Sequence, residues 1–305
     1  MPEVRGETLR LPGPVSERHE TRGGSVKTYI SIDMEGVAGV AHLRQVMRGS
    51  DDFPESRRLM TEEANAAVAG AFDGGASEVV VNDSHGTMYN LLAEAMDPRA
   101  ELVIGSPKAL SMMEGFGPGF GVALFVAYHA AAGVQAAVLD HTYSGRLIYD
   151  CRVNGESWTE AELNAAYAGV FGTPVGLVTG DDKACEVVAK LPGARAVVVK
   201  EGLGRNVARG FHPSVARERI REGAAEAVRA AVAGDLTPFR PDPPFVLEAD
   251  VANSGCADLC SLMPGTERAG PRTVRFRTED FRDVFRCVLA WTYLGDSQAP
   301  TYPGS

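Results

Sequence analysis

The segment Thr28-Tyr-Ile-Ser-Ile-Asp-Met-Glu-Gly36 decides how the rest of the chain is interpreted. Its first five residues form a short β-branched run without strict apolar and polar alternation, as expected of a strand buried on both faces. Helical patterns over 56–70 and 160–169 separate several similar runs. These runs lie at 78–81, 102–104, 122–127, 175–178 and 196–199. Alternating strands and helices predict an α/β fold with a largely parallel sheet flanked by helices.

The pattern changes along the chain and suggests separate regions. Alternation from 141 to 153, followed by the turn signal Asn154-Gly155, predicts a projecting β-ribbon near 141–158. After about residue 205, a charged helix, a Pro-rich turn, two strands and a last helix predict a smaller C-terminal α+β domain. The expected regions are an extension at 1–25 that is poorly ordered, the α/β domain at 26–204, the smaller domain at 205–295 and a tail at 296–305.

Composition excludes some classes of protein. The 305 residues contain 30 Lys and Arg against 40 Asp and Glu, so the formal net charge is −10. Nucleic-acid binding needs clustered surplus cations, so we expect no nucleic-acid partner. The most membrane-like stretch, 121–139, is mostly Gly and Ala around a histidine and is too weakly apolar to span a bilayer. We therefore also expect no membrane partner.

Cysteine usage indicates the compartment. The five cysteines form no CxxC pair, and an odd number spread widely does not suggest a disulfide framework. The first 25 residues contain no apolar segment of the kind found in signal peptides. Reduced thiols and the lack of such a segment predict a cytoplasmic protein.

Side chains of the kind that bind metals follow three of the predicted strands. Asp33 and Glu35 follow the first strand, His85 follows the second and His129 follows the fourth. In an open α/β sheet, ligands bind in the crevice outside the carboxyl ends of the strands. Two carboxylates and two imidazoles suit zinc or another first-row divalent ion better than calcium. The sequence thus predicts a metal site at this edge, within residues 26–204.

Each of these residues also has an ordinary structural explanation. Acids after strands commonly cap helices or lie in turns, and a lone histidine is usually a hydrogen-bonded polar group. Thr159-Glu-Ala-Glu162 fits a capping box, which would make Glu160 a first-turn acid favoured by the helix dipole. His141 is ambiguous by itself. Asp181 and Asp182 either line the same edge or cap the helix that follows them.

Eight short motifs follow one another along the chain. They are Ser31-Ile-Asp-Met-Glu-Gly-Val37, Leu59-Met-Thr-Glu-Glu-Ala-Asn65, Val81-Asn-Asp-Ser-His85, Tyr128-His-Ala130, Asp140-His-Thr142, Glu160 with Leu163-Asn164, Gly180-Asp-Asp182 and Leu262-Met-Pro-Gly-Thr-Glu267. Together they resemble the D-aminopeptidase family of di-zinc metallopeptidases encoded with bacterial dipeptide-transport genes. The resemblance extends from about Lys27 to about Tyr293.

The resemblance implies two Zn²⁺ ions per subunit, a catalytic histidine at His141 and a ring-like homo-oligomer with an internal chamber. It also changes the interpretation of Glu160 from a first-turn acid to a ligand. The implied metal ligands are Asp33, Glu35, His85, His129 and Glu160, with Asp33 as the bridge. Trp158-Thr159 departs from the small or apolar pair ending in Gly that is common in the family, which affects the helix entry and pocket width.

The expected function is a zinc-dependent aminopeptidase that hydrolyses short peptides with an N-terminal D-amino acid of the D-Ala type. A di-zinc-activated water would attack, and His141 would act as general acid and base or stabilise the oxyanion. The candidates for side chains that hold the metal ligands in place or contact the substrate are Asp83, Asn164 and Asp181. Two alternatives stay open: a di-zinc amidohydrolase acting on peptidoglycan fragments or another amide, and a non-catalytic metal-binding protein.

Overall fold

A computed structural model describes residues 26–301, so the predicted extension at 1–25 and the last four residues of the tail lie outside the described residues. Twelve strands are present in this part of the chain. They are β1 (Val26–Ile32), β2 (Ala76–Asp83), β3 (Ala100–Val103), β4 (Phe120–Tyr128), β5 (Ile148–Val153), β6 (Glu156–Ser157), β7 (Val175–Asp181), β8 (Arg195–Gly204), β9 (Val207–Gly210), β10 (Phe245–Val251), β11 (Glu267–Arg268) and β12 (Thr273–Thr278).

Seven α-helices accompany these strands in the same described range. They are α1 (Leu43–Val46), α2 (Phe53–Asp73), α3 (Glu160–Val170), α4 (Asp182–Cys185), α5 (Pro213–Ala233), α6 (Ser254–Cys260) and α7 (Phe281–Gly295). The limits of α5 follow from its sequence. Pro213 occupies the first turn, and Gly234 ends the helix in a left-handed conformation with φ of 79°.

A seven-stranded sheet forms the main layer, in the order β3-β2-β1-β4-β7-β8-β9. All its pairs are parallel except the edge pair of β8 with β9, which is antiparallel. The predicted α/β fold with a largely parallel sheet is thereby confirmed. The strand order reverses direction between β1 and β4, which is the point where open α/β sheets bind ligands.

Both faces of this sheet are buried, which explains why its strands lack regular alternation. On β1, Ile30 and Ile32 pack into a core formed with α2 and α5, whereas Tyr29 packs into a second core with α3 and α7. Helices α2 and α5 lie in close contact because Gly70 has no side chain. A Cβ at Gly70 would lie 2.2 Å from the carbonyl oxygen of Arg221.

The segment predicted as a projecting ribbon belongs to a second, antiparallel sheet. Asn154 and Gly155 have positive φ values and form the predicted turn between β5 and β6. However, β5 also pairs with β10, and the order of the sheet is β11-β12-β10-β5-β6. Strand β5 of the predicted ribbon therefore lies inside this sheet, between β10 of the C-terminal region and β6.

The second sheet contains strands from both sides of the predicted boundary between residues 204 and 205, and α5 packs across this boundary. Helix α5, assigned from sequence to the smaller domain, packs on α2 of the main layer, and β9 completes the first sheet. The α+β character of the C-terminal region agrees with prediction, but its sheet requires β5 from the middle of the chain. Long-range pairing of this kind leaves no signal in local sequence patterns.

No helix within residues 26–301 is long and apolar enough to cross a membrane.

Candidate metal centre and active-site cavity

The ends of β1, β2 and β4 lie at the same level in the sheet. Ile32 is paired with Asp83 on one side and with Val126 on the other. Side chains that follow these three strands therefore meet at one edge. The structure brings together Asp33, Glu35, His85 and His129, and each of them is buried.

Asp33 lies between two histidines and directs one carboxylate oxygen to each. Its Oδ1 is 3.1 Å from His85 Nδ1, and its Oδ2 is 3.3 Å from His129 Nε2. Glu35 Oε2 is 3.0 Å from the same His85 nitrogen, and Glu160 Oε1 is 3.4 Å from the same His129 nitrogen. The donors thus form two adjacent groups that share Asp33.

Glu160 is positioned by the start of α3. Thr159 is the N-cap, and its hydroxyl accepts a hydrogen bond from the Glu162 backbone N–H while the Glu162 carboxylate accepts one from the Thr159 N–H. The predicted capping box is therefore present. Because Glu162 completes it, the buried side chain of Glu160 is free to face His129 and to accept a 2.6 Å hydrogen bond from the Tyr143 N–H.

His141 lies at the more accessible side of the same group. Its imidazole stacks on that of His129, with ring centroids 3.8 Å apart and planes 16° apart. His141 Nε2 is 4.0 Å from Glu160 Oε1, farther than the corresponding His129 nitrogen. Its side chain is 20% exposed against 2% for His129, so His141 is better placed to meet a ligand from outside.

The second nitrogen of each histidine bonds to a backbone carbonyl. A carbonyl only accepts, so this nitrogen carries the proton, and in the neutral ring the nitrogen that faces the carboxylates is unprotonated. The acceptors are the oxygens of Val46 for His85 at 2.8 Å, Ala130 for His129 at 2.9 Å and Leu139 for His141 at 2.9 Å. All three rings are therefore oriented as metal-binding histidines are.

The charges in this cluster change one another's protonation. Burial and the negative charge of Glu35 raise the pKa of Asp33. Burial alone would raise the pKa of Glu35 and of Glu160, but attraction to His85 and His129 respectively lowers both pKa values below their usual range. Burial would lower the pKa of the two histidines, yet their carboxylate neighbours raise both well above the ordinary value. The carboxylates thus stabilise positive charge on the imidazoles of His85 and His129.

The donor set fits a divalent metal. His129 Nε2 is buried and has no hydrogen-bond partner among residues 26–301, although two carboxylates lie within 3.4 Å. Buried polar atoms are rarely left unpaired, and a metal ion would satisfy this one. Ligand atoms around one tetrahedral zinc ion lie about 3.3 Å apart, which matches the distances seen here. Imidazole with carboxylate is also a ligand set that zinc accepts.

Asp83 acts on the loop that carries His85 and does not touch the imidazole. Its carboxylate accepts hydrogen bonds from the backbone N–H groups of Asn90 and Leu91 and from the Asn90 side chain. The Asn90 amide in turn donates to the carbonyl oxygen of His85 at 2.6 Å. Asp83 therefore fixes the course of the chain between His85 and Leu91.

Asn164 and Asp181 likewise hold in place the chain segments that carry His129 and His141. The Asn164 amide donates to the Tyr128 hydroxyl at 2.9 Å, next to His129 in the chain. Asp181 caps α4 by accepting a hydrogen bond from the Ala184 N–H at 2.7 Å. Capping of the following helix was one of the two interpretations of this residue from sequence. Its other oxygen accepts from the Val138 N–H at 2.6 Å, which holds the segment leading to His141.

Sequence reasoning missed a buried lysine beneath the centre. Lys200 Nζ donates to the carbonyl oxygens of Glu35, Val37 and Val40, which fixes the turn that follows β1. Burial lowers the pKa of Lys200 to about 8. A lysine directly after the apolar run 196–199 was the available signal, because such a position is seldom solvated.

The candidate ligands Asp33, Glu35, His85 and Glu160 line a cavity of about 250 Å³. Four non-glycine residues with positive φ line it, namely Met88, Ser111, Leu139 and Tyr143. Such strained backbone concentrates where the surrounding structure fixes a site in advance. The cavity is small compared with the 300–1,000 Å³ typical of drug-sized ligand pockets, so it suits a small ligand.

The model of the D-aminopeptidase family, peptidase family M55, matches residues 26–290. The chain belongs to this family. It is 38% identical over 274 residues to a D-aminopeptidase of Bacillus subtilis (strain 168), covering 88% of this chain and 97% of that protein. The family resemblance noted from sequence is therefore confirmed.

A solved structure supports the same assignment to the D-aminopeptidase family. The Zn-dependent D-aminopeptidase DppA from Bacillus subtilis, described as a self-compartmentalizing protease, is 34% identical to this chain. The structures agree with a TM-score of 0.85 over 91% of this chain and 100% of that one. Both the main sheet and the second sheet thus belong to a fold already seen in the family.

Proposed function

We propose that this D-aminopeptidase family member is a zinc-dependent aminopeptidase acting on short peptides with an N-terminal D-amino acid of the D-Ala type. The observation that carries the proposal is the position of Asp33 between His85 and His129, with the buried His129 Nε2 unpaired. The relatives named D-aminopeptidase support the reaction and its stereochemistry.

The donor groups would hold two zinc ions. Asp33, Glu35 and His85 would hold one ion, and His129 and Glu160 would hold the other, with Asp33 shared between them. Zinc bound in such paired sites supplies Lewis acidity for a carbonyl and lowers the pKa of water towards about 7. The zinc dependence of DppA supports this metal.

His141 is proposed as the catalytic histidine. Its Nδ1 proton is held by the Leu139 carbonyl, so Nε2 is the nitrogen able to take up or release a proton at the cavity. Stacking on His129 keeps the ring in place without using that nitrogen. The free α-amine of a peptide would bind the second ion or a nearby carboxylate, which would favour removal of the N-terminal residue over internal cleavage.

Release of D-Ala from D-Ala-D-Ala, compared with release of L-Ala from L-Ala-L-Ala, tests the proposal. We expect cleavage of the D-peptide, its loss with a chelator and its recovery with Zn²⁺. Cleavage of the L-peptide alone would contradict the stereochemistry. A zinc-loaded protein that cleaves neither peptide would favour a different amide substrate or a non-catalytic metal-binding role.

The variant His141→Ala separates catalysis from metal binding. If His141 transfers protons, this variant retains two zinc ions per subunit by elemental analysis and loses most of its turnover. The geometry makes the test necessary, because donor atoms of His129, His141 and Glu160 lie within 4.8 Å of one another. Loss of zinc in the variant would place His141 among the ligands.

We further propose that the chain forms a ring-like homo-oligomer in the cytoplasm. The description of DppA as self-compartmentalizing supports assembly, and five free, buried cysteines suit a reducing compartment. Light scattering after size exclusion measures the subunit number, and a monomer at micromolar concentration would contradict the proposed ring. Fractionation of the source cells tests the compartment.

A further inference from the structure

One arginine lies at the wall of the acidic cavity. Arg205 is in the turn between β8 and β9, and it is the only arginine or lysine of residues 26–301 that lines this cavity. Its side chain is 45% exposed, so it is open to a ligand at the cavity mouth.

The hydrogen bonds of Arg205 leave one edge of its guanidinium free. Nη1 donates to Asp140 Oδ1 and to the Asp140 carbonyl oxygen, each at 3.1 Å. Within residues 26–301, Nε and Nη2 have no hydrogen-bond partner. The Arg205 carbonyl also accepts from the Leu139 N–H at 2.8 Å, which fixes the turn against the segment before His141. Nε and Nη2 present the parallel donors that match a carboxylate.

The substrate class proposed above brings a carboxylate to this place. A dipeptide has an amine at one end and an anionic carboxylate one residue beyond the scissile bond. A carboxylate that enters a cavity loses water and needs a charged or hydrogen-bonding partner there, and Arg205 is the candidate at the wall. A cavity of about 250 Å³ leaves room for a ligand of dipeptide size.

We propose that Arg205 binds the C-terminal carboxylate of a dipeptide substrate through its Nε and Nη2 edge. Arg205 thereby makes the enzyme selective for dipeptides with a free C-terminus. This inference rests on the proposed peptidase function and specifies its substrate class. The hydrogen bonds to Asp140 already hold the Arg205 guanidinium in position in the absence of substrate. Arg205 therefore loses little conformational freedom when it binds the substrate carboxylate.

The test compares D-Ala-D-Ala with its C-terminal amide, D-Ala-D-Ala-NH₂, as substrates. For the zinc-loaded wild type we expect kcat/KM to favour the free acid by roughly tenfold to hundredfold, chiefly through KM, as for a charge-assisted hydrogen-bonded pair. Arg205→Gln is expected to remove this preference. Arg205→Lys, which keeps the charge without the parallel donors, is expected to restore part of it.

A matched control lies in the same hairpin. Arg209 on β9 pairs with Glu201, is 74% exposed and does not line the cavity. Arg209→Gln is therefore expected to keep the preference for the free acid. If Arg205→Gln instead lowers kcat equally for both substrates, Arg205 only positions the segment of His141 and the proposal is overturned. A wild type without preference also overturns it.

Calorimetry separates this proposal from the proposed reaction. If no D-peptide is hydrolysed, the reaction is wrong, but titration of wild type and Arg205→Gln with both ligands still tests the carboxylate site. Tighter binding of the free acid that disappears in Arg205→Gln supports the site. Equal binding of acid and amide by the wild type overturns it.

Discussion

At the scale of single residues, Glu63 shows how a buried charge can tune stability near the metal centre. It lies on α2, and its Oε1 accepts a 2.8 Å hydrogen bond from the Ala38 N–H. Its other oxygen is buried without a hydrogen-bond partner among the described residues. Burial raises the pKa of Glu63 to about 7, although the Ala38 N–H and the charge of Lys200 act in the opposite direction.

Glu63→Gln is expected to make stability less dependent on pH. Because the folded-state pKa of Glu63 is raised, the folded chain holds more protons than the unfolded one between about pH 4.5 and 7, so Glu63 lowers stability as pH rises through that range. The cost above pH 7 is on the order of 3 kcal/mol. Urea unfolding in the presence of chelator should show that the free energy of unfolding of the variant, relative to that of the wild type, is higher at pH 8 than at pH 5. A pH-independent difference would contradict this.

Gly36 is expected to tolerate no side chain. A Cβ there would lie 2.3 Å from both the Ala127 carbonyl carbon and the Tyr128 oxygen at the end of β4. Gly36→Ala should therefore cost roughly 1–3 kcal/mol or more and reduce zinc content by moving Glu35 away from β4. Thermal unfolding and elemental analysis measure both effects. Gly117→Ala, with nothing within 4 Å of its Cβ, is the control, and equal behaviour of the two variants would refute the prediction.

At the scale of elements, the start of α3 links helix stability to the metal centre. Thr159 caps the helix whose first residue, Glu160, faces His129. Trp158 is buried and packs near Phe239 and Phe281, so the departure from the family pattern is accommodated by the core beside the cap. The helix entry is therefore well formed in this chain.

Thr159→Ala is expected to lower stability by about 1 kcal/mol, the usual cost of losing an N-cap. It should also weaken zinc binding, because Glu160 begins the turn that the cap holds. Asn253→Ala removes the comparable cap of α6, which has no part in the metal cluster, and should lower stability alone. Competition with a chromogenic zinc chelator measures the affinity. Unchanged zinc affinity in Thr159→Ala would show that packing alone positions Glu160.

At the scale of the whole molecule, two continuous cores cover the faces of the main sheet, and one of them joins this sheet to the second sheet. Leu163 of α3, Leu247 of β10 and Trp291 of α7 all lie in that joint core. The C-terminal strands therefore share a core with the main layer.

The five cysteines report on this burial. All are free and buried, and burial raises the pKa of Cys151 and Cys185 to about 12 and of Cys260 to about 11. A buried, protonated thiol reacts slowly. We expect no reaction with a thiol-specific disulfide reagent at pH 8 in the native protein and reaction of five thiols in guanidinium chloride. Rapid reaction of any thiol in the native state would reveal local opening of the core.

Sequence by itself determined the local features. The limits of α5, the hairpin turn at Asn154-Gly155 and the order of strands and helices follow from periodicity and from Pro and Gly, which act over a few residues. Because parallel strands end at one edge, residues that follow β1, β2 and β4 could be expected to meet there. Metal ligation at this edge was a prediction from the same pattern and from the family resemblance.

Tertiary structure alone decided which distant segments join. The pairing of β5 with β10 joins segments about a hundred residues apart. The positions of Lys200 beneath Glu35 and of Arg205 at the cavity wall likewise depend on contacts between separated segments. Such contacts are selected by burial and hydrogen bonding in the complete fold, and they leave no periodic trace in the sequence. Strand order and cavity shape depend on how the whole chain packs, so no short stretch of sequence specifies them.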